Sequence, residues 1–456
     1  MLSAESFWTS SLRLAPEGGR ITRILAAAIA AVEPGTALER FVKRDGEMLT
    51  ISGRTYDLRL FRRVVLLGLG KASLAMSHAL AEILGGRLSS GLVIPKHAPT
   101  ISQFPLSILQ GDHPVPGKGS LEAGQKTVEL VSSLGPDDLL FCLISGGGSA
   151  LVAAPVEGVS LTALRALTSA LLACGARVDE INCLRRRLDR VKGGGIVKMA
   201  NGATIISLIL SDVVGSPLEA IASGPTAPDP TRRLNALSIL AKYGLEHQIP
   251  SSIRHALRSS PETPKAGDPI FEKVQNVIVG SNLLAAQAAL TQAEAEGFHP
   301  YLLRTDLQGE ARQAAYVLAT FQRQAWKTGN PVQRPACIVV GGETTVTLRH
   351  GSGQALKESG KGGRNTELAL ASVSELANFP GVMLVTLATD GEDGPTDAAG
   401  AVVTGETLSR AAGLGLHPGD FLERNDSYTF FSTLDDLLKS GPTGTNVNDL
   451  VFLFIF

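Results

Sequence analysis

A short segment of three glycines between two serines has the residue types for binding an anion. Its members are Ser145, Gly146, Gly147, Gly148 and Ser149. It lies between an apolar run that ends at Ile144 and a run that can form a helix from Ala150. Glycines leave backbone N–H groups uncovered, and a strand-to-helix turn aims such groups at one point. The segment therefore predicts a loop that holds a phosphate or carboxylate, although a lone glycine triplet is more often a plain turn.

A second anion-suited loop is predicted at Gly70 and Lys71. It begins like a dinucleotide-binding turn, but Ser73 stands where the third glycine belongs, and it lacks the residues of a P-loop. A lysine at a helix start is unfavourable against the helix dipole unless an anion lies nearby. An exposed lysine after a tight turn explains the segment equally well.

The segment Glu180–Gly194 carries many arginines and lysines on a predicted helix. Such a run is usually a solvated basic face. Arg185 and Lys192 share one face at helical spacing, and we expect one or both to reach a phosphate. The other basic side chains are predicted to be on the surface.

An aspartate follows another predicted strand, Thr204–Leu210. This residue, Asp212, would lie at the carboxyl edge of a parallel sheet, where open α/β folds bind their ligands.

The second half of the chain adds an arginine and polar groups in loops. Arg364 and Asn365 end a basic, glycine-rich loop ahead of a predicted helix, and Glu343 lies in a turn between two strands. Arginine offers a fixed, two-pronged donor for carboxylate or phosphate. Asn425 supplies an amide in a further loop. These residues are candidates for binding substrate or phosphate.

Clustered aspartates follow the predicted strand Val382–Leu387. Asp390 and Asp393 lie in a glycine-rich stretch whose spacing does not match an EF-hand loop. Carboxylates of this kind suit a hard cation such as Mg²⁺.

Predicted strands and helices alternate along the chain and place these loops at strand ends. Arg63–Leu69, Asp137–Ile144 and Thr204–Leu210 are apolar runs followed by loops and helices, which is typical of α/β units with a parallel sheet. A proline-rich stretch interrupts the pattern at 225–274. We therefore predict two domains, 1–250 and 270–456.

Composition excludes several classes of protein. Hydrophobic residues make up 44%, charged residues 19%, and the formal net charge is −1, so no bulk charge favours nucleic acid or a membrane surface. The first residues lack a signal-peptide pattern, and the four cysteines show no metal or disulfide spacing. We expect a cytoplasmic enzyme; a homodimer is left open.

Taken together, the anion-suited loops, separate cations and acidic cluster indicate phosphoryl transfer, which depends on positioning and charge neutralisation. A serine hydrolase is disfavoured because Leu151 replaces the last glycine of the G-x-S-x-G motif around Ser149.

Ten ordered motifs resemble those of the class II glycerate 2-kinases, whose C-terminal part is the MOFRL domain. They are GxGKAS at Gly68–Ser73, HPVPG at His113–Gly117, LISGGGSAL at Leu143–Leu151, SDVVG at Ser211–Gly215, IASGPT at Ile221–Thr226, GGExTV at Gly341–Val346, GGRNxE at Gly362–Glu367, TDGxDGPTDAAGA at Thr389–Ala401, NDSYxFF at Asn425–Phe431 and TGTNVND at Thr443–Asp449.

The resemblance implies ATP-dependent phosphorylation of D-glycerate to 2-phosphoglycerate, with Mg²⁺. It implies a Rossmann-like N-terminal domain, a second mixed α/β domain that includes the MOFRL region at about 335–450, and an active site in the cleft between them. The family's proposed catalytic lysine and arginine match Lys71 and Arg364. The common family pattern RKHLS reads here as the segment 185–189, RRRLD, which keeps the first arginine, Arg185, and lacks the histidine and serine.

From both lines we expect the glycerate hydroxyl to attack the γ-phosphorus in line, with either Asp212 or Asp390 as the base. Asp390 and Asp393 are the expected Mg²⁺ ligands. Two rivals are a hydroxypyruvate reductase and a non-catalytic protein that binds a sugar acid or nucleotide. The incomplete dinucleotide motif, and the lack of a carboxylate in residues 90–94, disfavour the reductase.

Overall fold

The computed structural model of the protein describes residues 2–99, 106–348 and 360–456. Its strands are β1 (Val42–Asp45), β2 (Met48–Ile51), β3 (Arg54–Asp57), β4 (Arg63–Leu69), β5 (Leu88–Ile94), β6 (Ser107–Ile108), β7 (Asp138–Ile144), β8 (Thr204–Leu210), β9 (Val274–Gly280), β10 (His299–Glu310), β11 (Ala336–Thr345), β12 (Val382–Ala388), β13 (Gly400–Thr404), β14 (Leu437–Leu438) and β15 (Asp449–Ile455).

The α-helices of the same residues follow in chain order. They are α1 (Ser10–Leu14), α2 (Gly18–Ala30), α3 (Pro34–Phe41), α4 (Ser73–Leu84), α5 (Lys118–Ser132), α6 (Gly148–Leu151), α7 (Leu161–Ala173), α8 (Val178–Leu188), α9 (Gly195–Met199), α10 (Arg233–Lys242), α11 (Ser251–Ser259), α12 (Asn282–Ala295), α13 (Ala311–Thr328), α14 (Arg364–Leu376), α15 (Thr407–Gly413), α16 (Pro418–Glu423) and α17 (Ser427–Thr433).

The chain forms two compact units. Residues 34–279 form one, which we call the parallel-sheet unit, and residues 1–33 and 280–456 form the other, the mixed-sheet unit. The predicted division at 250–270 placed the first 33 residues with the N-terminal domain. In the structure they pack instead with the C-terminal half: α2 lies against α12, and the N–H of Ser11 donates to Asp436 Oδ1 (2.7 Å).

The parallel-sheet unit is built on a six-stranded sheet in the order β6-β5-β4-β7-β8-β9. Strands β4, β7 and β8 pair in parallel, with Leu69 opposite Ile144 and Ile144 opposite Ile209. Their side chains are almost all buried because helices cover both faces, as expected for apolar runs of this kind. The three strands therefore end at one edge, and the loops that follow them lie side by side.

The mixed-sheet unit contains a second six-stranded sheet in the order β10-β11-β15-β12-β13-β14. Strand β15 runs antiparallel to both of its neighbours, and its first residue, Asp449, lies opposite Gly342 of β11 and Ala388 of β12. The start of β15 is thus placed beside the ends of two other strands. A core of aliphatic and aromatic side chains packs this sheet against α13 and α14.

The two sheets confirm the predicted α/β class with one parallel and one mixed sheet. One local prediction differs. The helix expected from Ala150 is a single turn, α6. No single helix among the described ranges is long and apolar enough to cross a membrane, although α2 and α3 together reach that length and composition across a break.

A buried carboxylate holds the start of β7. Asp138 accepts from Arg63 (Nη2–Oδ2, 2.6 Å), from Arg62 (3.1 Å) and from the N–H of Gly135 (2.9 Å). The hydrogen bond from Arg63 is the main reason that the pKa of Asp138 lies well below its usual range; burial opposes it, and Arg62 and Gly135 lower it further.

We predict that Asp138→Asn lowers the free energy of unfolding by about 2 kcal/mol at neutral pH. A carboxyl with a depressed pKa in the folded state stabilises above its unfolded pKa of about 3.9 and loses that contribution as the pH falls below it. Urea unfolding at several pH values should show a constant difference between pH 5 and pH 7 that shrinks towards pH 3. The exposed neighbour Asp137→Asn is the control, and a difference independent of pH would contradict the assignment.

Candidate functional site

The loops that follow β4 and β7 are joined by hydrogen bonds through Ser145. The N–H of Ser145 donates to the carbonyl of Leu69 (2.9 Å), and Lys71 N–H donates to the carbonyl of Gly146 (2.9 Å). The Ser145 hydroxyl accepts from the N–H of Ala72 (3.0 Å). These bonds fix the position of both loops at the carboxyl edge of the sheet.

Two glycines allow this close approach. Gly70 has φ +123°, and a Cβ built on it would lie 2.3 Å from Ser145 Oγ. A Cβ on Gly146 would lie 2.0 Å from Oδ2 of Asp212, whose carboxylate therefore packs directly against the glycine loop. No side chain fits at either position, so these glycines serve packing as well as backbone freedom.

Lys71 and His113 lie close to Gly147. A Cβ built there would lie 3.4 Å from Lys71 Cγ and 3.1 Å from His113 Cδ2. Burial lowers the pKa of His113, and the charges of Lys71 and Lys96 lower it further. The N–H groups of Gly147 and Ser149 donate to no other residue of the described ranges. The lysine cation and the open N–H donors at one point form a place for an anion.

The hydroxyl of Ser149 belongs to a chain of side-chain hydrogen bonds. It shares a hydrogen bond with Ser223 (Oγ–Oγ, 2.9 Å), and the Ser223 hydroxyl in turn donates to Asn182 Oδ1 (3.1 Å). Because α6 is a single turn, its dipole is small and the anion site depends on the N–H groups and Lys71.

The basic helix differs from the predicted solvated face. Arg186 pairs with Asp229 (2.8 Å) and Arg187 with Glu262 (2.5 Å), and both arginine side chains are buried. Sequence reasoning placed them on the surface because their partners lie far along the chain. Unpaired arginines could not be buried at acceptable cost.

Arg185 on this helix and Lys192 after it are the two residues that we expected to reach a phosphate, and their surroundings differ. Lys192 is buried and bonded to Asp189 (Nζ–Oδ2, 2.6 Å) and to the carbonyl of Val152 (3.1 Å), so its charge is already matched. Arg185 has no hydrogen bond or salt bridge to another described residue. Burial lowers the pKa of Arg185, and the charge of Asp189 opposes that effect.

In the mixed-sheet unit, two carboxylates hold the predicted catalytic arginine. Arg364 donates through Nε to Asp449 Oδ2 (2.5 Å), through Nη2 to Asp449 Oδ1 (3.2 Å) and through Nη1 to Glu343 Oε1 (2.7 Å). Strand register explains the cluster, since Asp449 begins β15 beside the end of β11. The Arg364 side chain is still 31% exposed, so a ligand can reach it.

Burial and the neighbouring charges shift the pKa values of this cluster in opposite directions. Burial lowers the pKa of Arg364, but Asp449 and Glu343 outweigh it, so the pKa is raised and the guanidinium is always charged. Burial raises the pKa of Asp449 to about 6, although Arg364 acts against the increase. At neutral pH the cluster holds an ionised pair.

Asp393 does not fit the predicted role of metal ligand. Its Oδ1 accepts from the N–H of Asn365 (2.9 Å), and its Oδ2 accepts from the N–H (2.8 Å) and hydroxyl (2.7 Å) of Thr366. The carboxylate thus caps the start of α14, and burial raises its pKa while these bonds oppose the increase. Because Asp393 occupies the helix end, those N–H groups are not open to a substrate anion either.

The amides predicted to bind substrate are also turned inwards. Asn365 Nδ2 donates to Asp393 (3.3 Å), and Asn425 Nδ2 donates to Glu367 Oε1 (3.2 Å). Asp390 accepts from the N–H of Glu392 (3.2 Å). Within the described part of the chain, no group of three or more His, Cys, Asp or Glu side chains is arranged to hold a metal ion.

The fold and the two clusters define an α/β protein of two units, one with an anion-suited sheet edge and one with a carboxylate-held arginine. Two family models match separate parts of the chain. Residues 20–258 match the domain of unknown function DUF4147, and residues 336–449 match the MOFRL family.

Three relatives are similar over most of the chain. The D-glycerate 2-kinase of Thermotoga maritima is 39% identical, covering 85% of this chain and 90% of the relative. The glycerate 2-kinase of Pyrococcus horikoshii is 35% identical, covering 95% and 96%. A protein of Agrobacterium vitis with the provisional name of hydroxypyruvate reductase is 40% identical, covering 86% and 87%.

A solved structure is similar in fold as well. The crystal structure of the Thermotoga maritima glycerate kinase has a TM-score of 0.83 at 36% identity, covering 95% of this chain and 98% of that one. The chain belongs to the glycerate 2-kinase family with a MOFRL domain, as its motifs predicted.

Sequence reasoning missed several residues that shape these sites. Asp449 ends the quoted TGTNVND motif, His113 begins HPVPG, and Ser223 lies within IASGPT, so each had a motif but no assigned role. Asp189, the partner of Lys192, carried a signal that could have been used: a carboxylate three residues before a lysine.

We predict that Gly70→Ala destabilises the parallel-sheet unit by about 3 kcal/mol, since the added methyl overlaps Ser145 Oγ and the backbone has a positive φ. Gly86→Ala is the matched control, because a Cβ there meets nothing within 4 Å. Urea unfolding measures both. A loss at position 70 no larger than at position 86 would show that the two loops are not closely packed.

Proposed function

We propose that the protein transfers the γ-phosphoryl group of ATP to the 2-hydroxyl of D-glycerate, giving 2-phosphoglycerate and ADP. The observation that carries the proposal is the sheet edge at which Lys71 and the open N–H groups of Gly147 and Ser149 converge. Relatives named as glycerate 2-kinases share the fold and most of the chain.

In the proposed reaction the hydroxyl oxygen on carbon 2 attacks the γ-phosphorus, and the bond from that phosphorus to the β-bridging oxygen breaks. The negative charge that spreads over the γ-oxygens needs fixed positive groups. We assign that role to Lys71 and Arg364. The N–H groups of the Ser145–Ser149 loop hold phosphate oxygens.

Arg364 is suited to this role because its guanidinium is held in one orientation and still has N–H groups that donate to no described residue. The guanidinium has five N–H groups, of which three donate to Asp449 and Glu343, so two are left for a substrate oxygen. The carboxylates keep the planar group in one orientation. A cation fixed in advance does not have to reorganise as charge develops.

The proton of the attacking hydroxyl needs a carboxylate or a solvent acceptor. Asp212 lies against Gly146 at the phosphate loop and is our first candidate for the base, with Asp390 as the second. Mg²⁺ accompanies nucleotides through their phosphates and needs only one or two protein carboxylates. Of the two aspartates predicted to bind Mg²⁺, we keep Asp390 as the candidate, because the carboxylate of Asp393 caps the start of α14.

Two relatives carry the name of the reductase alternative, but the site gives it little support. After β5, where a dinucleotide-binding unit places an acidic residue for the ribose, this chain has Pro95 and Lys96. Ser73 is fully buried in place of the third glycine. The discriminating assay is oxidation of NADH with hydroxypyruvate, for which we expect no activity.

We predict that Lys71→Ala and Arg364→Ala each lower kcat at least about 100-fold in an assay of ADP formation from ATP and D-glycerate. Lys71→Ala should keep its melting temperature within a few degrees, whereas Arg364→Ala should melt at a lower temperature but stay folded, because it leaves the buried Asp449 without its cation. Lys198→Ala and Arg304→Ala, exposed residues of the same two units, are the controls. Turnover near that of the unsubstituted protein in either test variant would remove that residue from the mechanism.

We predict that Asp449→Asn lowers kcat by about 10-fold to 100-fold, because a neutral amide leaves Arg364 less firmly oriented. Exposed Asp420→Asn serves as the matched control. The pH profile of kcat separates orientation from general damage: Asp449 has a pKa of about 6, so an acid limb near that value should be present in the unsubstituted protein and absent in the variant. Equal profiles would refute the role.

A further inference from the structure

A cavity of about 260 Å³ lies within the parallel-sheet unit. Its walls come from α7, α8 and the loop at residues 114–116, and most of the surface is apolar. Its apolar side chains include Val115, Leu161, Leu164, Leu167, Leu172 and Leu188. Pockets with apolar walls and a few polar groups are typical of small-molecule sites.

One end of the cavity has an unmatched positive charge. Arg185, Lys192 and Asp189 all border it. Lys192 and Asp189 form a salt bridge (2.6 Å), which leaves the guanidinium of Arg185 without a hydrogen bond to another described residue. A partly buried cation of this kind is stabilised by an anionic ligand. An occupant should therefore carry a carboxylate or phosphate at this end.

Ser149 connects the cavity to the anion-suited sheet edge. It borders the cavity and also ends the glycine loop, whose open N–H groups lie beside Lys71. An occupant that fits both places needs an apolar body and an extended anionic chain. Glycerate lacks the first, because each of its carbons bears oxygen, and leucine walls would leave those oxygens unpaired.

The geometry points to this cavity as the site for the adenine and ribose of the phosphoryl donor, with the phosphates running past Arg185 and Ser149 towards Lys71. This inference rests on the proposed function. A dry cavity of about 150 Å³ takes a benzene ring, so the volume here suits a bicyclic base. Thr168 and Ser169 also border the cavity, and their hydroxyls, which bond to no other described side chain, are the groups we assign to the polar edge of the base.

The test fills the cavity without changing charge. Thr168→Trp should weaken binding of ADP at least tenfold in titration calorimetry, because the indole occupies the space of the base. Ala166→Trp, on the exposed side of the same helix, should change it less than twofold. Tripolyphosphate, which has no base, should bind the unsubstituted protein and Thr168→Trp equally. Unchanged ADP binding in Thr168→Trp, or equal weakening of both ligands, would overturn the inference.

A second measurement needs no substitution. In hydrogen exchange of the unsubstituted protein, ADP should protect peptides from α7, which borders the proposed site of the base, and tripolyphosphate should not; a lack of this difference also overturns the inference. Failure of these binding experiments can be told apart from failure of the proposed function. ADP formation from ATP and D-glycerate by the unsubstituted protein tests the reaction, whereas the cavity experiments test only where the nucleoside lies.

Discussion

The hydrogen bonds of Ser145 position the sheet edge on which the proposed chemistry depends. Its N–H is bound to Leu69 at the end of β4, and its hydroxyl is bound to the N–H of Ala72 in the next loop. Parallel register brings the two strand ends level, and Gly70 lets the loops touch. If Ser145 moved, Lys71 and the open N–H groups would no longer face one point.

The mixed-sheet unit places its arginine by a different physical device. In this unit the fixed group is a side chain and not a loop backbone. The carboxylates of Asp449 and Glu343 hold the guanidinium of Arg364 through ion pairs and hydrogen bonds. Burial makes this pair costly to break, because either partner left alone would be a charge with little solvent. The same constraint keeps the guanidinium ionised and oriented before any substrate arrives.

The sequence predicts those features that depend on local pattern. Continuous apolar runs followed by glycines identified β4, β7 and the Ser145–Ser149 loop, and the family motifs identified the second half of the chain. Features set by distant partners were not predictable. Arg186 and Arg187 looked like solvated charges because nothing near them in sequence reveals Asp229 and Glu262.

Asp393 shows the same limit for a carboxylate. A glycine-rich acidic stretch is compatible with a metal ligand or with a helix cap, and only the hydrogen bonds to Thr366 show that it is a cap. Likewise, the association of residues 1–33 with the mixed-sheet unit depends on long-range packing of α2 on α12. Local periodicity predicts that a helix forms, but not which element the helix packs against.

The central claim is that phosphate is transferred to the 2-hydroxyl of D-glycerate. Proton-coupled phosphorus NMR of the products from ATP, Mg²⁺ and D-glycerate tests it most directly, because phosphorus on carbon 2 couples to one proton and phosphorus on carbon 3 couples to two. We expect a doublet together with the signals of ADP. A triplet, or unchanged ATP in the presence of active NADH oxidation with hydroxypyruvate, would contradict it.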